Sequence, residues 1–323
     1  MLQPALFILL SLAVLVWSAD RFVYGAAAIA KNFGISPLII GLTIVAMGSS
    51  APEMLVAAQA ALAGKTEMAV GNAVGSNITN ILLVLGVTAL IKPLVVASKT
   101  VKRELPIMLT ISLLAFYMVS DNYLSRAEGI TLLFGFAIFI FTLIKVSMNQ
   151  KAAKDPMLVE MESEIPDGVP TKKAAFWLLV GLILLPLSAS ILVDSAVVIA
   201  QNYGVSDLVI GLTIIAIGTS LPELAASVTG VLRGEDDLAI GNIVGSNIFN
   251  ILAVLSLGGV INPAVINADA STRDFPVMLI ASIVLMAMAF GFKRDGRINR
   301  LEGFILVSFF IAYQYILFRH TMG

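Results

Sequence analysis

The sequence predicts an all-α integral membrane protein of ten transmembrane helices, arranged as two inverted five-helix repeats. Three observations carry that prediction. Of 323 residues, 59% are hydrophobic and only 13% are charged, whereas a soluble domain carries about 25% charged residues. Apolar windows of about 20 residues, long enough for a helix to cross a bilayer, recur from end to end. Finally, residues 41–80 (GLTIVAMGSSAPEMLVAAQAALAGKTEMAVGNAVGSNITN) return at 211–250 (GLTIIAIGTSLPELAASVTGVLRGEDDLAIGNIVGSNIFN), with 20 of 40 positions identical and no gap.

In chain order, the first half gives expected spans at 4–29, 36–63, 68–91, 104–120 and 127–147. The first lacks a basic leading segment and is longer than the apolar core of a signal peptide, so it reads as a retained helix. The segment between the halves, NQKAAKDPMLVEMESEIPDGVPTKK, is charged, holds three prolines and has no apolar face. It reads as a solvated linker. The second half gives spans at 174–200, 206–232, 238–261, 275–291 and 301–318. The expected units are therefore 1–148, 149–173 and 174–323. NFGISPLIIGLT (32–43) aligns with NYGVSDLVIGLT (202–213) at the same offset of 170, so the repeat extends beyond its most similar stretch. Five spans per unit is an odd number, which inserts the second unit upside down, a plan common among secondary transporters.

Basic residues set the expected orientation. Fifteen Lys and Arg fall in the loops after spans 1, 3, 5, 7 and 9, and four (Lys65, Arg126, Arg273, Arg319) fall on the other face. The positive-inside rule puts the first set in the cytoplasm and both termini outside. A net charge of −1 offers nothing to attract nucleic acid. The absence of cysteine excludes disulfides and thiolate metal sites.

Each copy of the repeat places one glutamate, Glu53 or Glu223, inside an apolar run. Such a group costs about 3 kcal/mol on insertion scales and marks a functional site by default. No Lys or Arg lies in the four motif-bearing spans to pair with them. Pro52 and Pro222 are expected to break the helices that carry them, freeing the carbonyls of Gly48 and Gly218. Ser49 and Ser50 precede Glu53 by four and three positions, as Thr219 and Ser220 precede Glu223, which on a helix puts hydroxyls and carboxylate on one face. Asn72, Ser76 and Asn80 form a polar stripe beside the GxxxG of Gly71 and Gly75, repeated by Asn242, Ser246 and Asn250 beside Gly241 and Gly245. Together these groups make an all-oxygen cluster suited to a hard cation such as calcium, which takes six to eight oxygen ligands. Softer metals are disfavoured without imidazole or thiol. Glycine pairs and proline kinks alone are ordinary helix-packing features; the paired glutamates are not. The acidic run Glu235-Asp236-Asp237 reads as a solvated helix start, and Glu160, Glu162, Glu164 and Asp167 as a solvated loop.

The paired G(S/T)SxPE and GNxxGSNxxN motifs, one set in each half, closely resemble the alpha repeats of the calcium/cation antiporter superfamily, with the prokaryotic sodium/calcium exchangers as the nearest branch. The resemblance covers the whole ten-helix layout. It implies that Glu53 and Glu223 are the central calcium ligands, also used by sodium. It implies further oxygens from Ser49, Ser50, Ser76, Thr219, Ser220 and Ser246, backbone carbonyls from Ala46 and Ala216, and Asn80 and Asn250 flanking the centre. Several relatives carry aspartate at one of the last two positions. Two amides here leave a site charge of −2, which balances one calcium or two sodium ions.

The activity implied is secondary-active calcium:cation antiport, with sodium exchanged for calcium by alternating access as the first and sixth spans slide. A proton/calcium antiporter is the alternative. A passive channel fits less well, because single carboxylates in a twofold pair do not make a ring filter. An intramembrane enzyme fits worse: the one histidine, His320, is at the tail, and no paired aspartates lie within the membrane. The resemblance implies no cofactor beyond the transported calcium and sodium, no protein or nucleic-acid partner, and a plasma membrane (a bacterial inner membrane) as the setting.

Overall fold

A computed structural model describes residues 2–35, 40, 44, 46–96, 99–149, 165–234, 236–290 and 296–322. Apart from four two-residue strands, the elements are helical. In order they are α1 (Leu2–Asn32), α2 (Ala46–Gly48), α3 (Ala51–Leu62), α4 (Thr66–Ile91), β1 (Leu94–Val95), α5 (Lys99–Val119), β2 (Tyr123–Leu124) and α6 (Arg126–Asn149). Then come α7 (Thr171–Tyr203), α8 (residues 207–219), α9 (Leu221–Arg233), α10 (Asp236–Ile261), β3 (Ala264–Val265), α11 (Ala270–Phe290), β4 (Arg297–Ile298) and α12 (Arg300–Met322).

Among the described residues, eight helical segments are long and apolar enough to cross a membrane. The span expected at 104–120 is α5, 21 residues long with Pro106 near its start. The span expected at 36–63 falls partly outside the described residues, with α2 and α3 as its described remainder.

α4 and α10 occupy the centre: 78% and 83% of their apolar windows is buried, against 11% for α6. Glycine is what lets backbones meet there. A Cβ on Gly71 of α4 would collide with the carbonyl of Leu208 in α8, and one on Gly211 would come within 2.5 Å of the Met68 carbonyl. At the periphery α1 and α7 pack together, with Gly25 against the backbone of Leu178 and Gly181 against Phe22. Outward faces carry Leu6, Phe7 and Leu10 on α1, Phe134 and Phe141 on α6, and Phe304 and Phe309 on α12. In water this much exposed apolar surface would be untenable; in a bilayer it is the solvated surface. The chain is a multi-pass membrane protein.

Two antiparallel clasps tie the halves together. β1 pairs with β4 (Leu94 opposite Ile298), and β2 pairs with β3 (Leu124 opposite Ala264). Where the linker is described it is fastened rather than free. Asp167 meets Lys31 at 3.2 Å, and Asn32 Nδ2 donates to the Val169 carbonyl at 3.0 Å. The Lys31 ammonium, with the N–H of Gly168, holds the Asp167 carboxyl below the usual carboxylate range. Glu160, Glu162, Glu164 and Glu235 lie outside the described residues. Asp236 opens α10, yet it is not simply solvated: it pairs with Lys92 at 3.3 Å and accepts the N–H of Val95 at 3.2 Å.

Candidate cation site

The site is built on two helix breaks that share one backbone shape. Ser50 (φ −88°, ψ 5°) separates α2 from α3, and Ser220 (φ −84°, ψ 4°) separates α8 from α9. The break therefore lies two residues ahead of the proline, within the turn that the proline ring and its missing N–H disturb. Pro52 and Pro222 are the second residues of α3 and α9, in a first turn where the missing N–H has no intrahelical acceptor anyway. Neither proline has an N–H for the carbonyl four residues back, at Gly48 or Gly218, and at each point the helix stops and restarts instead of merely kinking. Glu53 and Glu223 fall in the first turn of the new helices, at the end where a helix dipole favours negative charge.

Both glutamates are 0% exposed. Among the described residues neither makes an ion pair. Both carboxylate oxygens of Glu53 and Oε2 of Glu223 have no hydrogen-bond partner.

The hydroxyls were expected to serve the glutamate of their own segment. The breaks turn them toward the other half instead. Ser49 Oγ lies 3.3 Å from Ser246 Oγ and 3.5 Å from Asn242 Oδ1, and Ser50 Oγ donates to Ser246 Oγ at 3.2 Å. Ser246 in turn donates to Glu223 Oε1 at 3.0 Å. From the second half, Thr219 Oγ1 reaches Asn72 Oδ1 at 3.3 Å, where Ser76 Oγ also points at 3.5 Å. Asn72 Nδ2 donates to the backbone carbonyl of Glu53 at 3.1 Å. Each half thus holds the motif residues of the other.

The remaining expected residues are placed as follows. Ser220 Oγ is buried without a partner. Ala216 opens the last turn of α8, and its carbonyl takes the N–H of Ser220 at 3.2 Å. Ala46 opens α2. Asn80 and Asn250 are 0% and 1% exposed; Oδ1 of Asn80 and both polar atoms of Asn250 have no partner. Each sits where its helix widens into a π-turn, Thr79–Val84 in α4 and Asn250–Val254 in α10. Such turns are rare and often mark functional sites.

Asn72 and Asn242 were read from the sequence as part of the polar stripes but not among the ligand candidates. Here they are the acceptors that bind the halves together. Asn77 and Asn247, next to the stripes in the GSN triplets, were missed; their repetition in both copies was the available signal.

Buried carboxylate, amide and hydroxyl oxygens with no cationic partner among the described residues are a donor set of the kind a hard cation takes.

The family model described as "Sodium/calcium exchanger protein" matches residues 4–145 and 173–319. The chain is 56% identical to the CaxA protein of Alkalimonas amylolytica over 98% of this chain and 99% of that one. It is 41% identical to the inner membrane protein YrbG of Escherichia coli over 98% of both. Among solved structures, the sodium-calcium exchanger NCX_Mj superposes with a TM-score of 0.65 at 31% identity, covering 96% of each chain. These matches span both halves and every segment that builds the oxygen cluster. The chain belongs to the sodium/calcium exchanger protein family.

Proposed function

We propose that the protein is a secondary-active calcium:cation antiporter that carries calcium one way and sodium the other. Both ions would use a single site on Glu53 and Glu223, completed by Ser49, Ser50, Ser76, Thr219, Ser220, Ser246, Asn80, Asn250 and the backbone carbonyls of Ala46 and Ala216. The observation that carries this reading is the pair of fully buried glutamates without ion pairs. Each unpaired buried charge is costly, and a transported cation removes that cost while bound. The partnerless oxygens of Glu53, Glu223, Ser220, Asn80 and Asn250 fit the ligand demand of calcium.

On this reading the chain holds ten membrane helices in two inverted units, 1–148 and 174–323, joined by a cytoplasmic linker at 149–173. Both termini face the non-cytoplasmic side of a bacterial inner membrane. Two carboxylates balance one calcium or two sodium ions, so the empty site carries uncompensated charge and resists crossing. That is the requirement for exchange rather than leak. The family placement and the NCX_Mj likeness favour sodium over protons as the returning ion.

The test is calcium uptake into proteoliposomes with sodium, potassium and pH gradients imposed separately. Glu53→Gln and Glu223→Gln each keep side-chain size but remove half the site charge. Each is expected to abolish sodium-driven uptake, to less than about 1% of the parent, the scale of losing one buried charged ligand of 3–5 kcal/mol. Near-normal flux in either variant would refute a shared site.

A further inference from the structure

Asn77, Asn80, Asn247 and Asn250 are each no more than 1% exposed, and the first two reach across to Asn247 of the other half. Asn80 Nδ2 donates to Asn247 Oδ1 at 3.1 Å. Asn77 Nδ2 donates to the Asn247 backbone carbonyl at 3.2 Å and faces Met278 Sδ at 3.5 Å. The side-chain amide is flat, so fixing its nitrogen fixes its oxygen. Turning Asn80 over would bring its Oδ1 against the Oδ1 of Asn247, two acceptors with no proton between them. With Asn247 presenting its Oδ1, its own Nδ2 being buried without a partner, the contact leaves the oxygen of Asn80 as the free end. That end is Oδ1, buried and without a partner.

We propose that Asn247 is a positioning residue for transport: it holds the Asn80 amide so that its oxygen, and not its N–H₂, meets the cation. This rests on the reading above that Asn80 is an ion ligand. The equivalent pair of the other repeat is not joined. Both polar atoms of Asn250 and Oδ1 of Asn77 have no partner. The orienting contact is thus made on one side of the site only.

A double-mutant cycle tests this. Equilibrium calcium binding is measured on the purified full chain as parent, Asn80→Ala, Asn247→Ala and the double variant. If Asn247 acts through Asn80, Asn247→Ala weakens binding roughly three- to tenfold, the scale of one hydrogen bond. The double variant then binds no more weakly than Asn80→Ala alone. Losses that multiply would show that Asn247 matters for some other reason and overturn the inference. If Asn80→Ala binds like the parent, the ligand reading of Asn80 fails first and the positioning role fails with it. Asn247→Asp retains an acceptor for Asn80 Nδ2, so its binding should stay within about twofold of the parent or tighten. A loss as large as that of Asn247→Ala would equally overturn the inference.

Discussion

Asn250 lies in α10 at the start of a π-turn, 1% exposed, with neither its Oδ1 nor its Nδ2 engaged. Its neutrality keeps the proposed site at two negative charges. Asn250→Asp adds a third carboxylate without adding a cation, and three like charges in a poorly solvated pocket make proton uptake compete with calcium. Exchange should survive but fall on acidification more steeply than in the parent. Calcium uptake against a fixed sodium gradient, from about pH 6 to 8, reads this directly. Superimposed profiles would place position 250 outside the field of the glutamates. Asn80→Asp should behave alike, because the repeat puts it at the equivalent position. At this scale the sequence is informative about charge and poor about partners. Glu53 and Glu223 stand out because an ionisable residue in an apolar repeat has no bland explanation. The bonds of Ser49 to Asn242 and of Thr219 to Asn72 span 193 and 147 residues, and no local spacing rule reaches that far.

The elements show which regularities of the repeat are used alike in both halves and which are not. The breaks at Ser50 and Ser220 have the same backbone shape, and the Pro-Glu pair gave notice of a discontinuity there. Its position two residues earlier follows from the tolerance of a first helical turn for proline, which the motif alone does not express. The π-turns left no pattern in hydropathy, because one extra residue per turn shifts the apolar face too little to register over a few residues. Positions 66 and 92 of the first half correspond to 236 and 262 of the second. One pairing is Lys92 with Asp236 at 3.3 Å, and the other is neutral, with Asn262 Nδ2 donating to Thr66 Oγ1 at 2.9 Å. The same joint between α4 and α10 is thus charged at one end and uncharged at the other. The GxxxG motif has physical content here. A Cβ on Gly75 would come 2.8 Å from the Cβ of Ala216 and the Cα of Leu212, most of it rigid backbone. Gly75→Ala should therefore cost about 1–3 kcal/mol by overpacking. In purified protein this appears as a lower unfolding temperature without calcium, with residual binding in the fraction that remains folded. An unchanged temperature would mean that α8 can retreat from α4 at little cost.

At the scale of the whole molecule, β1–β4 and β2–β3 each join one half to the other, and the site itself is made from both. Neither half closes its oxygen cluster alone, which is why the repeat had to be read as a pair before either motif made chemical sense. Orientation is the property that still depends on charge alone. Fifteen basic residues in one set of loops against four in the other lead to the expectation that the 149–173 linker is cytoplasmic and the last helix end outside. The natural chain has no cysteine, so a single introduced thiol is its only reactive sulfur. Lys154→Cys in the linker should resist a membrane-impermeant thiol reagent added to intact cells and react once the cells are opened. Thr321→Cys, beyond Arg319, should react in intact cells. One thiol lies in the charged linker and the other at the polar C-terminal end, both far from the oxygen cluster in sequence, so calcium uptake should be retained and serves as the control for correct insertion. The reverse labelling pattern would invert the topology. It would also exchange the two ends of the α4–α10 joint, putting the Lys92–Asp236 pair outside. There it would face the external salt, which screens an exposed ion pair but leaves the Thr66–Asn262 contact untouched.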